Sequence, residues 1–425
     1  MTLVVTLAAA GAATGAAGSG AAGSGVAGFG VSAVGGKGAS LGELARAGIA
    51  VPPGFVVTVE AFAATMAAVD PSGAHRASVE ALGADDLAGI AAVAARLRAL
   101  ITEAPLPDEV AAAISSGYAA LGRGSDVAGA APGAGADAAG ASAGVAGAGV
   151  DVAVRSSATV EDSAEASFAG LQDTYLGVSG ASSVLGYVRR CWASLYNDES
   201  VAYRRRLGLP EAGVAMAVVV QRMVAPRAAG VMFTRSPVTG DRSVVAIEGT
   251  WGLGSALVSG DVTPDSWVIS KITREITSRR VSPKAKVHRY SGGGAPTAAG
   301  GEPTTSAPSD LGWVTVSDTP AELRDVPCLT DDEIRALAAV ARRVEAHYGT
   351  PQDIEWAVLD APFTQDASAA SAARASSAAD VPAEARVVLL QSRPETVWAA
   401  REATPAGSPK PRAADHVLAL FGKPL

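Results

Sequence analysis

Lys37 sits among glycines in Gly35-Gly36-Lys37-Gly38, one fixed cation on a stretch whose backbone can come close to an anion. Ser40 with Glu43 three residues on reads as a capping box, so a helix start would add unpaired N–H groups nearby. Together these features suit phosphate. The segment is not a Walker A loop, because Val31 stands at the first glycine position and Gly38 replaces the metal-touching Ser or Thr. No convincing strand feeds it, so a dinucleotide fingerprint also fits poorly. The competing reading is an ordinary turn with a solvent-facing lysine.

Val154-Arg155-Ser156-Ser157-Ala158-Thr159 places a second cation and several hydroxyls directly after an apolar strand. The planar fork of Arg155 suits phosphate oxygens, whereas the competing reading pairs it with Glu161 or Asp162. Farther on, Ala246-Ile247-Glu248-Gly249-Thr250-Trp251-Gly252-Leu253-Gly254 ends a strand in a glycine turn. Glu248 could meet sugar hydroxyls or a backbone amide. Gly252 and Gly254 either admit a ligand or only shape the loop.

The sharpest pattern is Asp353-Ile354-Glu355-Trp356-Ala357-Val358. A period of two puts Asp353, Glu355 and Ala357 on one face and Ile354, Trp356 and Val358 on the other. In Leu390-Gln391-Ser392-Arg393-Pro394, Gln391 and Arg393 share a face by the same rule. If the two strands pair, a carboxylate and an amide oxygen meet near a cation while Arg393 faces phosphate. Such oxygen ligands suit Mg²⁺ in phosphoryl transfer. An exposed sheet face would show the same alternation. Cys191, Cys328 and four scattered histidines give no zinc spacing and no disulfide framework.

The elements that would position these residues are mixed. Strands are expected near Leu3–Leu7 and over Phe55–Val57, Val152–Val154, Ala215–Met223, Ala229–Thr234, Val244–Glu248, Ile354–Val358 and Val387–Gln391. Helices are expected from Ser40 to a stop at Gly48, and over Val59–Val69, Asp86–Ile101, Pro107–Leu121 and Ser182 to about Leu207. One more runs from Thr330, with Glu333 at the box position, to Gly349. The fold class is therefore α+β or α/β. Three segments, Gly124–Gly149, Ser291–Pro308 and Ala361–Glu384, lack large side chains to bury and read as insertions. They suggest a poorly defined segment 1–28, a phosphate-binding lobe 29–123, an insertion 124–150 and a central region 151–290. An insertion 291–308, a metal-binding region 309–397 interrupted by 361–384, and a tail 398–425 complete the division.

With 425 residues and a formal net charge of -8, a broad nucleic-acid surface is not expected. No basic segment precedes the apolar start, and no uninterrupted apolar run would span a bilayer, so a cytoplasmic protein without membrane contact is expected.

Taken in order, the motifs resemble the amino-terminal, ATP-binding portion of the phosphoenolpyruvate synthase and pyruvate phosphate dikinase family. The pieces are VGGKGASLGELARAGIAVPPGFVVT, VRSSATVEDSAEASFAG, GVMFTRSPVTG, EGTWGLGSALVSGDVTPDSW, DIEWAV and LLQSRPETV, covering most of Val34–Val397. The resemblance implies an ATP-grasp-like cleft holding ATP and Mg²⁺. It puts the phosphate lysine and arginine at Lys37 and Arg155 and the metal ligands at Glu355 and Gln391, with Asp353 and Arg393 beside them. Gln221, Met223 and Val224 resemble the hinge that meets adenine, with apolar Met223 covering the ring; a buried central strand is the alternative. Glu248 resembles the acidic residue near the sugar. Ser255 departs from the pattern, standing where many relatives carry Glu.

His75, His288, His347 and His416 match no phosphocarrier motif, and no barrel for pyruvate follows Val397. The resemblance then implies an ATP-dependent phosphotransferase subunit passing phosphoryl groups to a histidine on a separate partner, with pyruvate as a candidate final acceptor. The alternatives are a non-catalytic ATP-binding regulatory module, or the nucleotide-binding component of a phenylphosphate synthase-like or antibiotic phosphotransferase system.

Overall fold

The computed structural model describes residues 1–10, 29–123, 149–159, 162–163, 166–167, 173–290, 314–363, 381–396 and 398. Most of the three low-complexity segments, and the stretches 11–28 and 399–425, lie outside these residues.

In chain order the early strands are β1 (Val4–Thr6), β2 (Gly54–Val57), β3 (Val152–Ala158), β4 (Asp162–Ser163), β5 (Ala166–Ser167), β6 (Thr174–Val178) and β7 (Met216–Arg222). Then come β8 (Ala228–Phe233), β9 (Val244–Trp251), β10 (Asp265–Ser270) and β11 (Ile276–Arg280). The last are β12 (Lys286–Tyr290), β13 (Val314–Asp318), β14 (Gln352–Val358) and β15 (Val387–Pro394). They build a five-stranded sheet, β1-β2-β7-β3-β6, a six-stranded sheet, β11-β10-β9-β8-β14-β15, and two small hairpins. Neighbouring strands in the two large sheets run antiparallel. The fold is mixed α and β with antiparallel sheets, the α+β side of the sequence expectation.

Sequence explains the order. The run Met216-Ala217-Val218-Val219-Val220 is apolar without alternation, as a strand covered on both faces requires, and it lies between β2 and β3. Val218 and Val220 belong to a core with Phe62, Leu97, Val188 and Trp192 from the helices Val59–Val69, Leu87–Glu103 and Ala181–Ser194. Ala217 and Val219, on the opposite face, join a second core. There the Val31–Arg46 helix contributes Val34, Leu41 and Leu44, and the six-stranded sheet contributes Met232, Ile247, Trp267, Ile354 and Trp356. The Asp331–Tyr348 helix closes that core from the far side with Leu337, Ala341 and Val344. The helix carrying Lys37 is thus packed into the core shared by both sheets.

The strand expected near Leu3–Leu7 is present: Val4–Thr6 pairs with Phe55–Val57 at the edge of the first sheet. Two expectations need correction. Ser40 does not begin a helix. The helix runs Val31–Arg46 and is kinked at Gly35, and the Ser40 hydroxyl instead donates to the Ser392 carbonyl at 2.7 Å. The expected helix from Ser182 to about Leu207 is two, Ala181–Ser194 and Asp198–Arg206. The carbonyls exposed by the break are met by arginines, Leu195 O by Arg204 at 2.6 Å and Tyr196 O by Arg98 at 2.5 Å.

The helix Asp331–Tyr348 follows the sequence reading closely. Thr330 Oγ1 accepts from Glu333 N at 3.3 Å, Glu333 Oε2 accepts from Thr330 N at 2.9 Å, and Gly349 ends the helix at φ 71°. Thr330→Ala is expected to cost about 1 kcal/mol in urea unfolding, since one orphan donor loses its partner. An unchanged midpoint would show that this cap contributes nothing.

Candidate functional site

Arg155 lies on β3, inside the first sheet, with both flanking strands fixing its backbone. Its face of the strand also carries Ser157. Ser157 Oγ donates to Val34 O at 2.9 Å and accepts from Gly38 N at 3.0 Å. The same strand face therefore holds the Lys37 helix and presents Arg155. Lys37 itself is half-buried in the turn after the Gly35 kink and is not among the residues lining the main cleft.

On the second sheet, β14 and β15 pair as the alternation suggested, with Glu355 opposite Gln391 and Asp353 opposite Arg393. Ile354 and Trp356 point into the core. The register slips after Glu355: Trp356 faces Leu389, so Leu390 is left over as a bulge. That bulge frees a carbonyl. Arg155 Nη1 donates to Leu390 O at 2.7 Å, while Arg155 Nη2 donates to Glu355 Oε2 at 2.8 Å and to Gln391 Oε1 at 2.9 Å. One guanidinium from the first sheet thus joins the carboxylate and the amide oxygen of the second. Glu161 and Asp162, the alternative partners for Arg155, lie outside the residues whose side chains are described.

These two oxygens meet a positive group at the same point, a donor set that fits a hard cation. Two buried polar atoms nearby, Arg155 Nε and Asp353 Oδ1, have no hydrogen-bond partner. Burial raises the Asp353 carboxyl to about 6, opposed by Arg393 at 3.5 Å and reinforced by Glu395. Among the described residues no three His, Cys, Asp or Glu side chains cluster as a metal cage.

Arg155, Leu390 and Glu355 border a cleft of about 370 Å³. Its other walls come from Gln221, Met223 and Val224 at the end of β7, from Val231 on β8, and from Leu253 to Ser259. Gln221 is buried and donates through Nε2 to Pro52 O at 3.2 Å. The Met223 amide is taken by Asp151 O at 2.9 Å. Gly254 lines the cleft, whereas Gly252 does not: at φ 70° it turns the chain against His288 O, which a Cβ would approach to 2.3 Å. Glu248, Asp353, Gln391 and Arg393 also lie outside the lining. A cross-strand row nevertheless runs Gln391, Glu355, Val231, Glu248, putting Glu248 on the face of the sheet that carries the donor pair.

The sequence offered no sign of the Leu390 carbonyl, because a bulge in one strand depends on its partners. Ser255 was visible only as a departure after Gly252-Leu253-Gly254.

Residues 31–413 match the family described as the pyruvate phosphate dikinase AMP/ATP-binding domain, and the chain belongs to that family. It is 42% identical over 334 residues to a rifampicin phosphotransferase of a Streptomyces species, covering 78% of this chain and 33% of that protein. It is 38% identical over 372 residues to a probable phosphoenolpyruvate synthase of Staphylothermus marinus, covering 87% and 40%. A probable phosphoenolpyruvate synthase of Methanothermobacter thermautotrophicus is 40% identical over 328 residues, with 77% and 42% covered. The chain spans between a third and somewhat over two fifths of the length of these relatives. Among the described residues no helix is long and apolar enough to cross a membrane.

Proposed function

We propose that this chain binds ATP with Mg²⁺ in the cleft between its two large sheets, an ATP-grasp-like arrangement, and activates it for transfer to a histidine on a phosphocarrier partner. One observation carries the reading: Arg155 of the first sheet reaches Glu355 and Gln391 of the second, so the cleft has a charged end where phosphate and metal chemistry belong. Another part of the cleft is lined by Met223, Val224 and Pro226, with Arg222 beside them, and these apolar side chains suit a base.

In this reading Glu355 and Gln391 hold the metal, which supplies charge neutralisation at the phosphate oxygens when bound. Lys37, Arg155 and Arg393 orient the polyphosphate and oppose its growing charge. Asp353 holds Arg393 in place. Glu248 and the 221–224 hinge orient the sugar and base. Arg155 must exchange some of its present hydrogen bonds for phosphate, and its unpartnered Nε is the donor nearest to hand. Dikinase-type chemistry would use both phosphoanhydrides and release AMP, and the acceptor domain would choose between pyruvate and another substrate.

Calorimetric titration of the full chain tests the nucleotide site. Lys37→Ala is expected to weaken Mg²⁺–ATP binding about tenfold or more, the worth of a charge-assisted hydrogen bond. Equal affinities would remove Lys37 from the binding site, and no binding by the wild type would refute the proposal.

A further inference from the structure

The cleft wall that runs from Leu253 to Ser259 holds a chain of polar groups that the proposed phosphate chemistry does not use. Ser255 lines the cleft, and its Oγ is 3.0 Å from Nδ1 of His288. His288 is fully buried on β12. Its Nε2 lies 3.1 Å from Asp261 Oδ2, off the ideal N–H line, and Asp261 also accepts from Ser259 Oγ at 2.6 Å. The three residues are separated in sequence, and the Gly252 turn brings them together: Leu253 N donates to His288 O at 2.8 Å. The same turn sets Ser255 beside the hinge. Gly252 N donates to Arg227 O at 2.9 Å, and a Cβ on Gly254 would meet Ala229, just past Met223–Pro226.

We propose that Ser255, oriented by His288 and Asp261, forms a hydroxyl-recognising subsite that accepts a hydrogen bond from the sugar of the bound nucleotide. This rests on the nucleotide reading above. The argument is one of donors and acceptors. An ionised carboxylate only accepts, so Asp261 favours the neutral imidazole tautomer with its proton on Nε2. In that tautomer Nδ1 is an acceptor, and among the described residues the Ser255 hydroxyl is the donor that meets it. With that proton directed to His288, Ser255 Oγ faces the cleft through its lone pairs. A sugar hydroxyl or an amine satisfies such an oxygen, whereas a phosphate oxygen is repelled. Ser255 therefore belongs to the sugar end of the cleft, as its place beside the hinge requires.

The test is calorimetry on the full chain with Mg²⁺ complexes of ATP, 2′-deoxy-ATP and 3′-deoxy-ATP. The wild type is expected to lose about 3- to 10-fold in affinity when the hydroxyl that meets Ser255 is removed, the range of one neutral hydrogen bond. Ser255→Ala should bind ATP as weakly as that deoxy analogue and should no longer distinguish the two, with an unchanged melting temperature. Asp261→Asn, an exposed change, should reduce the discrimination by releasing the tautomer, while affinity for the deoxy analogue stays constant. A Ser255→Ala chain that discriminates as the wild type does would overturn the subsite, and so would a wild type that binds all three nucleotides equally. An Asp261→Asn chain with full discrimination would overturn the role of Asp261. Absence of ATP binding altogether would overturn the nucleotide reading as well.

Discussion

Glu355→Gln is expected to lower ATP-dependent phosphoryl transfer by about 100-fold or more, the scale on which one group that opposes transition-state charge acts. The fold should survive. Arg155 Nη2 now donates to Glu355 Oε2 and Gln391 Oε1, and the amide oxygen of a glutamine at 355 can still accept that hydrogen bond. What disappears is the negative charge. In the proposed site that charge belongs to the metal, because Gln391 contributes only a neutral oxygen. The Mg²⁺ concentration needed for ATP binding should rise in parallel. Transfer is followed with labelled ATP and the acceptor protein, and the Mg²⁺ requirement by calorimetry on this chain alone. Asp360→Asn is the control: Asp360 is an exposed carboxylate just past the same strand, 3.7 Å from Arg227, and its loss should change neither quantity. Wild-type transfer and Mg²⁺ dependence in the Glu355 variant would place the metal elsewhere.

How far the sequence could reach is clearest at this pair of strands. Alternation alone put Ile354 and Trp356 on one face and Asp353 and Glu355 on the other, since a strand has no freedom to rotate one side chain independently, and the fold makes the first face the core. The pairing of Glu355 with Gln391 was likewise foreseen, across an insertion that lies mostly outside the described residues. Arg155 was identified as a fixed cation, but its destination was not. It depends on a bulge at Leu390 and on two sheets meeting, neither of which is local information. The same division runs through the helices. Thr330, Glu333 and Gly349 mark both ends of one helix because capping is a contact within a single turn. The break near Tyr196 had a weaker local signal, Asn197 followed by Asp198 and Glu199, which a single helix carried on to about Leu207 passed over. Ser40 and Glu43 show the converse: a capping pattern in sequence can sit inside a helix when tertiary partners, here Ser392 O and the ring of His347, take the side chains.

Gly35 shows why a phosphate-loop reading of the glycines was incomplete. The pattern suggested backbone exposed to an anion, but Gly35 is buried against β3. Its φ of 69° and ψ of 173° fall in a region open essentially to glycine alone. A Cβ there would lie 1.9 Å from Ser157 O and 2.4 Å from Ser157 Oγ. Neither atom can withdraw cheaply, because Ser157 is paired with Ala217 of β7 and its Oγ is already committed to Val34 O and Gly38 N. Gly35→Ala is therefore expected to cost more than about 4 kcal/mol, the sum of backbone strain and a lost helix contact. Gly48 supplies the comparison. It has the same φ of 69°, closes the same helix, and has nothing within 4 Å of a would-be Cβ. Ile49 N donates to Leu44 O and Gly48 N to Ala45 O, the two bonds of a Schellman ending. Gly48→Ala should consequently cost only about 1 kcal/mol. Denaturant titration of the two variants compares a glycine that needs both Gly-only torsions and close contact with β3 against one in an open left-handed helix ending. Equal, small losses would mean that the helix can lift away from β3 without penalty, and Lys37 would then have no fixed position from which to act. A large loss confined to Gly35 would show that the glycine beside the lysine serves to bring the helix down onto the strand carrying Arg155.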